Sequence, residues 1–184
     1  MKTKPPAVRR IFANPWDQIG YLHDRLLFWL YQRGEARMAR RFTTQMDRLL
    51  ADLDPKQESI LGQECRSLIS EAKVDLEGAI KHRTNEIQMI RRLQEISRGT
   101  PSEAHVLKNH GVADLSDRLD LLAVLYRNNG DLQQAIEVLR ESKALCQSHG
   151  IAFDGGDLLR DYLAAQAKTM KMRASGAAHY RPRR

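Results

Sequence analysis

Cysteine, proline and aromatic residues are scarce in this chain, and each scarcity removes a class of protein. Two cysteines, Cys65 and Cys146, among 184 residues are too few for the disulfide scaffold of a small secreted domain, and a reducing cytoplasm is the expected setting. Three of the six prolines, Pro5, Pro6 and Pro15, sit near the start, so little interrupts helix formation beyond them. Aromatics make up 6% of the chain, and aliphatic side chains carry most of the apolar content, as packed helices require. No stretch alternates apolar and polar residues as a half-buried strand does. No apolar run approaches the ~20 residues needed to span a bilayer, so no membrane association is expected. Ile11-Phe12-Ala13-Asn14-Pro15 follows a basic start but is no signal-peptide core. What remains is an all-α chain of one domain with tails, long enough to bury roughly 70% of its unfolded surface.

Reactive constellations are equally sparse. Cys146 and His149 could offer two metal ligands, but zinc takes three or four and no second pair lies nearby in sequence. His105 and His110 are five apart, which is not a helical pair, and the adjacent His23 and Asp24 do not face one point on a helix. There is no nucleophile elbow and no Cys–His signature, and Gly155-Gly156 is too short for a phosphate loop. No enzyme activity, metal or cofactor is therefore expected.

Charge is abundant but unevenly placed. The formal net charge is +7. Residues 1–14 contribute +4 through Lys2, Lys4, Arg9 and Arg10, and residues 168–184 contribute +6 with no acid, which leaves residues 15–167 at −3. The basic character belongs to the ends. Basic ends attract phosphate backbones or anionic surfaces, and they also serve as plain solvated tails.

What the chain does contain is helical periodicity, clearest in residues 117–150. Leu119, Leu122, Ala123 and Tyr126 follow one apolar helix face, and Leu132, Ala135, Ile136 and Leu139 follow another. Between them, Asn128-Asn129-Gly130-Asp131 combines residues that tolerate a left-handed helix end with an aspartate able to cap the next helix. The string LAVLYRNNGDLQQAIEVL resembles a tetratricopeptide (TPR) repeat, with its L-x3-Y-x3-G-D-x3-A pattern. The pattern returns twice. Tyr31 to Ala39 matches Tyr126 to Ala135, with Tyr31 one place nearer its glycine, and Lys73 to Ile80 matches Asn129 to Ile136, with Val74 in place of the turn glycine. The alanines fall at 39, 79 and 135, so extra residues separate the repeats, most of them between the second and third.

The resemblance implies an all-α, TPR-like solenoid of about three helical hairpins over residues 15–172. Its last helix, expected over 158–172, would cap the array, and basic tails at 1–14 and 173–184 would flank it. In the long helix of the second hairpin, Ile80, Ile87, Ile90 and Leu93 are expected in the core, with Met89 and Ile96 extending the stripe. Lys81, Arg83, Arg91, Arg92 and Arg98, mixed with Glu77, Glu86 and Glu95, read as an ordinary solvated face.

In TPR proteins the first helix of each repeat lines a concave groove. By resemblance, Tyr21, Asp24, Phe28 and Gln32 of the first repeat would point there. Glu64, Leu68 and Glu71 of the second would join them, with Asp120, Val124, Arg127 and Asn128 of the third. Aromatics in such a groove anchor bound peptides. Tyr21 and Phe28 suit packing against the N-terminal tail or a neighbouring repeat equally well. The function implied is a non-enzymatic scaffold or adaptor for a peptide or protein partner, a second copy of the chain included. The alternative is a nucleic-acid-associated protein that holds phosphates through its basic termini, a mode that weakens steeply with salt.

Overall fold

Helix starts are written into side chains that accept backbone hydrogen bonds. Asn14 Oδ1 accepts from the Trp16 amide at 2.9 Å, and Pro15 occupies the first helical turn of α1 (Pro15–Leu27). A π-helical turn, Phe28–Gln32, continues it. α2 spans Ala36–Leu53, α3 Ile60–Lys73, α4 Leu76–Ser97, α5 Glu103–Asn109, α6 Val112–Asn128, α7 Leu132–Ser148 and α8 Gly156–Ala178. The structure is a computed structural model that describes residue 12 and residues 14–178. The expected tails lie outside the described residues, apart from 12 and 14 at one end and 173–178 at the other. There the backbone of α8 runs on as helix past the expected end at 172. The described residues contain no strand, and no helix among them is long and apolar enough to cross a membrane.

Two of the hairpin turns are the same turn. After α6, the Asp131 amide donates to the Tyr126 carbonyl, and Asp131 Oδ1 accepts from the Gln134 amide at 3.0 Å. After α3, the Asp75 amide donates to the Ser70 carbonyl, and Asp75 Oδ1 accepts from the Gly78 amide at 3.0 Å. Gly130 supplies the left-handed residue in one (φ 89°) and Val74 in the other (φ 64°). The missing glycine therefore leaves the geometry unchanged and stores strain in a β-branched residue. The first turn carries one more residue. Glu35 donates back to Trp29, six positions away, and the π-helical turn absorbs the extra residue. By this closing bond it is Trp29, not Tyr31, that takes the place of Tyr126.

The second helices carry a recurring buried stripe. Ala39, Thr43, Met46 and Leu50 of α2 correspond to Ala79, Arg83, Glu86 and Ile90 of α4, and to Ala135, Leu139, Ser142 and Cys146 of α7. None of these twelve is more than 3% exposed, so the alanine register locates the buried face of all three helices. A small residue at its head lets the paired helix approach closely. Arg83 and Glu86, expected on a solvated face, are fully buried. The expectation failed because opposite charges three apart look alike on paper whether water or protein covers them. Ile96, expected on the core stripe, is 66% exposed because it lies on the last turn of α4.

Apolar side chains gather in two cores. One joins α1, α2 and α3 around Ile19, Leu22, Leu26, Met46, Leu50 and Leu68. The other joins α4, α6, α7 and α8 around Ile87, Ile90, Leu119, Leu122, Ile136 and Leu139, and is closed by Leu159 and Tyr162 of α8. Polar and small groups are buried where α3 meets α4, with Ser67 Oγ donating to the Ala79 carbonyl at 2.9 Å.

Val74 is 60% exposed, so its side chain contributes little packing, and Val74→Gly should raise stability by about 1 kcal/mol through relief of the left-handed strain. A lower urea midpoint for the variant would overturn that account. Ala135→Leu should lower stability by roughly 1–3 kcal/mol by overpacking the α6–α7 contact. An unchanged melting midpoint would show that the contact yields without strain.

Candidate functional site

An ionic cluster joins the first helices of the three hairpins. His23 of α1 lies 3.1 Å from Glu64 of α3 through Nε2 and 3.6 Å from Asp24 through Nδ1. Glu64 lies 3.6 Å from Arg118 of α6. Arg118 reaches Glu86 of α4 at 2.7 Å and Asp114, one turn back on α6, at 3.0 Å. Asp114 in turn meets His110 at 3.3 Å. Beneath this surface row, Arg83 pairs with Glu86 at 2.6 Å, both fully buried. The Arg118–Glu86 and His23–Glu64 pairs are ion pairs by distance but poorly aligned as hydrogen bonds, and Arg83 Nε and Nη2 have no aligned acceptor among the described residues. The cluster is therefore held by charge more than by directed hydrogen bonds.

Protonation follows from burial and neighbours. At Glu64, burial opposes charge, but the His23 contact and the His23, Arg118 and Arg83 charges win and hold it down at about 2. At Glu86 burial prevails, with Glu64 and Asp114 adding repulsion, and its pKa rises to about 7 against the pull of Arg83 and Arg118. Burial alone would depress His23, yet Glu64 and Asp24 outweigh it and raise the imidazole above its ordinary value. Burial also opposes charge on Arg83, which Glu86, Tyr31, Glu64 and Glu71 together overcome. Burial and the adjacent Glu71 keep the Tyr31 phenol protonated, and it donates to Glu71 Oε2 at 2.6 Å.

A second acidic group continues the row along α6. Asp117 is exposed and Asp120 half-buried. Burial raises both carboxyls, and repulsion from Asp154 adds to it at each. Gly155 passes so close that a Cβ there would sit 2.6 Å from Asp120 Oδ2. Glycine is what lets the α7–α8 connection cross this carboxylate.

The expected groove residues separate into three sets. Asp24, Glu64 and Glu71 belong to the ionic cluster or its margin, and Asp120 to its continuation. Tyr21 is half-buried with its ring 5.5 Å from that of Phe12, and Arg25 donates to its hydroxyl at 3.2 Å. Phe28 stacks edge-on against Trp29 at 5.1 Å, and Gln32 is exposed on the π-helical turn. Val124 is half-buried, while Arg127 and Asn128 are exposed at the far end of α6. There Arg127 lines a cleft against Gln166, Thr169 and Met170 of α8. Leu68 is not a groove residue: it is fully buried in the first core, on the face of α3 turned toward α1 and α2. His23, Arg83, Glu86, Asp114 and Arg118 escaped the sequence reading. One signal was available for two of them, since Arg83 and Glu86 stand four and seven places after Ala79, where Leu139 and Ser142 follow Ala135. Among the described residues no group of three or more His, Cys, Asp or Glu side chains is placed to hold a metal.

Replacing Arg83 by Leu, the residue found at the matching place in α7, takes from the buried Glu86 its fully enclosed partner and should cost roughly 3 kcal/mol. The double change Arg83→Leu with Glu86→Met, which copies Leu139 and Met46, should recover most of that loss. Urea unfolding of the three proteins checks it. A single variant as stable as the parent would show that the buried pair adds nothing.

Comparison with models of protein families, with curated proteins and with solved structures yields no match for this chain.

Proposed function

We propose that the chain is a non-enzymatic interaction adaptor of three TPR-like hairpins, α1–α2, α3–α4 and α6–α7. It takes a basic or neutral peptide along the face made by α1, α3 and α6. The recurring buried stripe and the shared turns support the repeat reading. The observation that carries the function is the charge of that face. Asp24, Glu64, Asp114, Asp117 and Asp120 follow one another across three helices, Asp154 of the α7–α8 connection adds to them, and His23 and Arg118 are the cations among them. Burial and neighbouring carboxylates raise Asp117 and Asp120, and an incoming cation relieves both. Lys and Arg side chains of a peptide supply one, and complementary charge also speeds the encounter. Fold alone does not assign this role; the acidic row is what supports it.

The experiment sets the helical face against the basic ends. A rhodamine-labelled Lys/Ala peptide is titrated, at physiological salt, into the full chain, into residues 14–178, and into the full chain carrying Asp24→Lys and Asp117→Lys. Both aspartates are exposed, so the fold should survive their replacement, and circular dichroism checks that it does. The truncated chain should bind as well as the full one, and the charge-reversed chain at least about tenfold more weakly. If the peptide binds neither protein, while a short DNA duplex binds the full chain with a steep salt dependence and loses the truncated one, phosphate binding through the termini replaces this reading.

A further inference from the structure

His23 sits at the α1 end of the acidic row. Its imidazole lies between the two carboxylates nearest the start of the acidic row, 3.6 Å from Asp24 on its own helix and 3.1 Å from Glu64 on α3. Asp24 is 83% exposed, and the His23 and Glu64 side chains each keep an open edge of 16%, so solvent and a ligand reach all three. Behind Glu64 stand Arg118 of α6, and Arg83 of α4 acting at longer range. No charged group of α2, the other helix packed on α1, is among those that act on His23.

We propose that His23 is a built-in competitor for the basic ligand: protonated, it neutralises Asp24 and Glu64, and a Lys or Arg side chain of the peptide binds there as that proton leaves. The inference rests on the peptide-adaptor reading and adds its regulation. The exchange balances in charge, one peptide cation replacing one proton, with the two carboxylates ionised before and after. The geometry makes the competition direct, because the imidazole fills the space between the carboxylates that a bound ammonium or guanidinium would bridge.

The sign of the pH dependence follows. The carboxylates raise the affinity of His23 for its proton, so the proton is held throughout acid solution and lost as pH rises through that raised value. Peptide affinity therefore increases with pH and levels off above it. Glu64, held down at about 2, stays ionised across the whole range and contributes no opposing slope. A histidine at its ordinary value of 6.5 that competes fully would give at least about a fourfold gain between pH 6 and pH 8, and a raised one gives more.

The test is titration of the same rhodamine-labelled Lys/Ala peptide into the full chain and into His23→Gln at about pH 6 and about pH 8, with the chain's imidazole titration followed by NMR. The parent should gain at least about fourfold in affinity on going to the higher pH. His23→Gln should lose most of that gain, keeping only what Glu86, raised to about 7 in both proteins, contributes, and the His23 titration should move to lower pH when peptide is added. Equal parent affinities at the two pH values, or the same slope in His23→Gln, would overturn the inference while leaving the adaptor intact. Absence of peptide binding at both pH values would overturn both. His110, which faces Asp114 at 3.3 Å, is present in both proteins, as is Glu86, so the difference between the two slopes reports His23.

Discussion

Arg83 and Glu86 meet at 2.6 Å with no access to solvent, and much of the architecture is arranged to keep them there. Taking both charges out of water costs several kcal/mol per ion, which one contact does not return. The remainder is met by further partners: Arg118 from α6, Glu64 and Glu71 from α3, and Tyr31 from the π-helical turn. These come from three separate elements. Sliding any of them along its neighbour would leave a buried charge uncompensated, so the cluster penalises wrong registers more than it adds to stability. It lies between two apolar cores that share no buried residue, and it links α1 and α3 of the first to α4 and α6 of the second.

The same cluster accounts for the π-helical turn. One extra residue before Gly34 would rotate everything after it by about a hundred degrees in a regular α-helix. Widening a single turn absorbs it, so that Glu35 still closes onto Trp29 and Tyr31 comes to Glu71. Such local widening is frequent at functional positions. Here it places a phenol at the edge of the buried charges, where burial and Glu71 keep it protonated and able to donate.

Much of the helical plan was legible in the chain, because it depends on local chemistry. Asn14-Pro15, Asp75 and Asp131 are caps whose hydrogen bonds run to their own helix, and Ala39, Ala79 and Ala135 mark close approaches by size alone. The site was less legible, because its chemistry is tertiary. His23 and Asp24 cannot face one point on a helix, yet His23 needs only one neighbour there; its second, Glu64, lies on another helix. Leu68 failed for a related reason. Its match in register, Val124, is half-buried while Leu68 is fully buried, since α3 is packed by helices on more sides than α6. A repeat pattern transfers register faithfully and exposure poorly, and exposure decides which residues a partner can touch.

Burial of cations also changes what the charge totals mean. Residues 15–167 carry a formal −3, a modest figure for that length. Yet Arg83 is wholly enclosed and Arg118 is mostly so, with 14% of its side chain exposed. Arg66 is likewise turned inward onto Asp54 at 2.7 Å. Glu86 and Asp54 are buried with these cations, so such pairs add little charge of either sign to the surface. Asp24, Asp117 and Asp154 remain exposed, and they rather than the chain total set the acidity of the face across α1, α3 and α6. The potential an approaching partner meets is set by where the charges are exposed, and that quantity follows from the folded arrangement of Arg83, Arg118 and Glu86 rather than from composition.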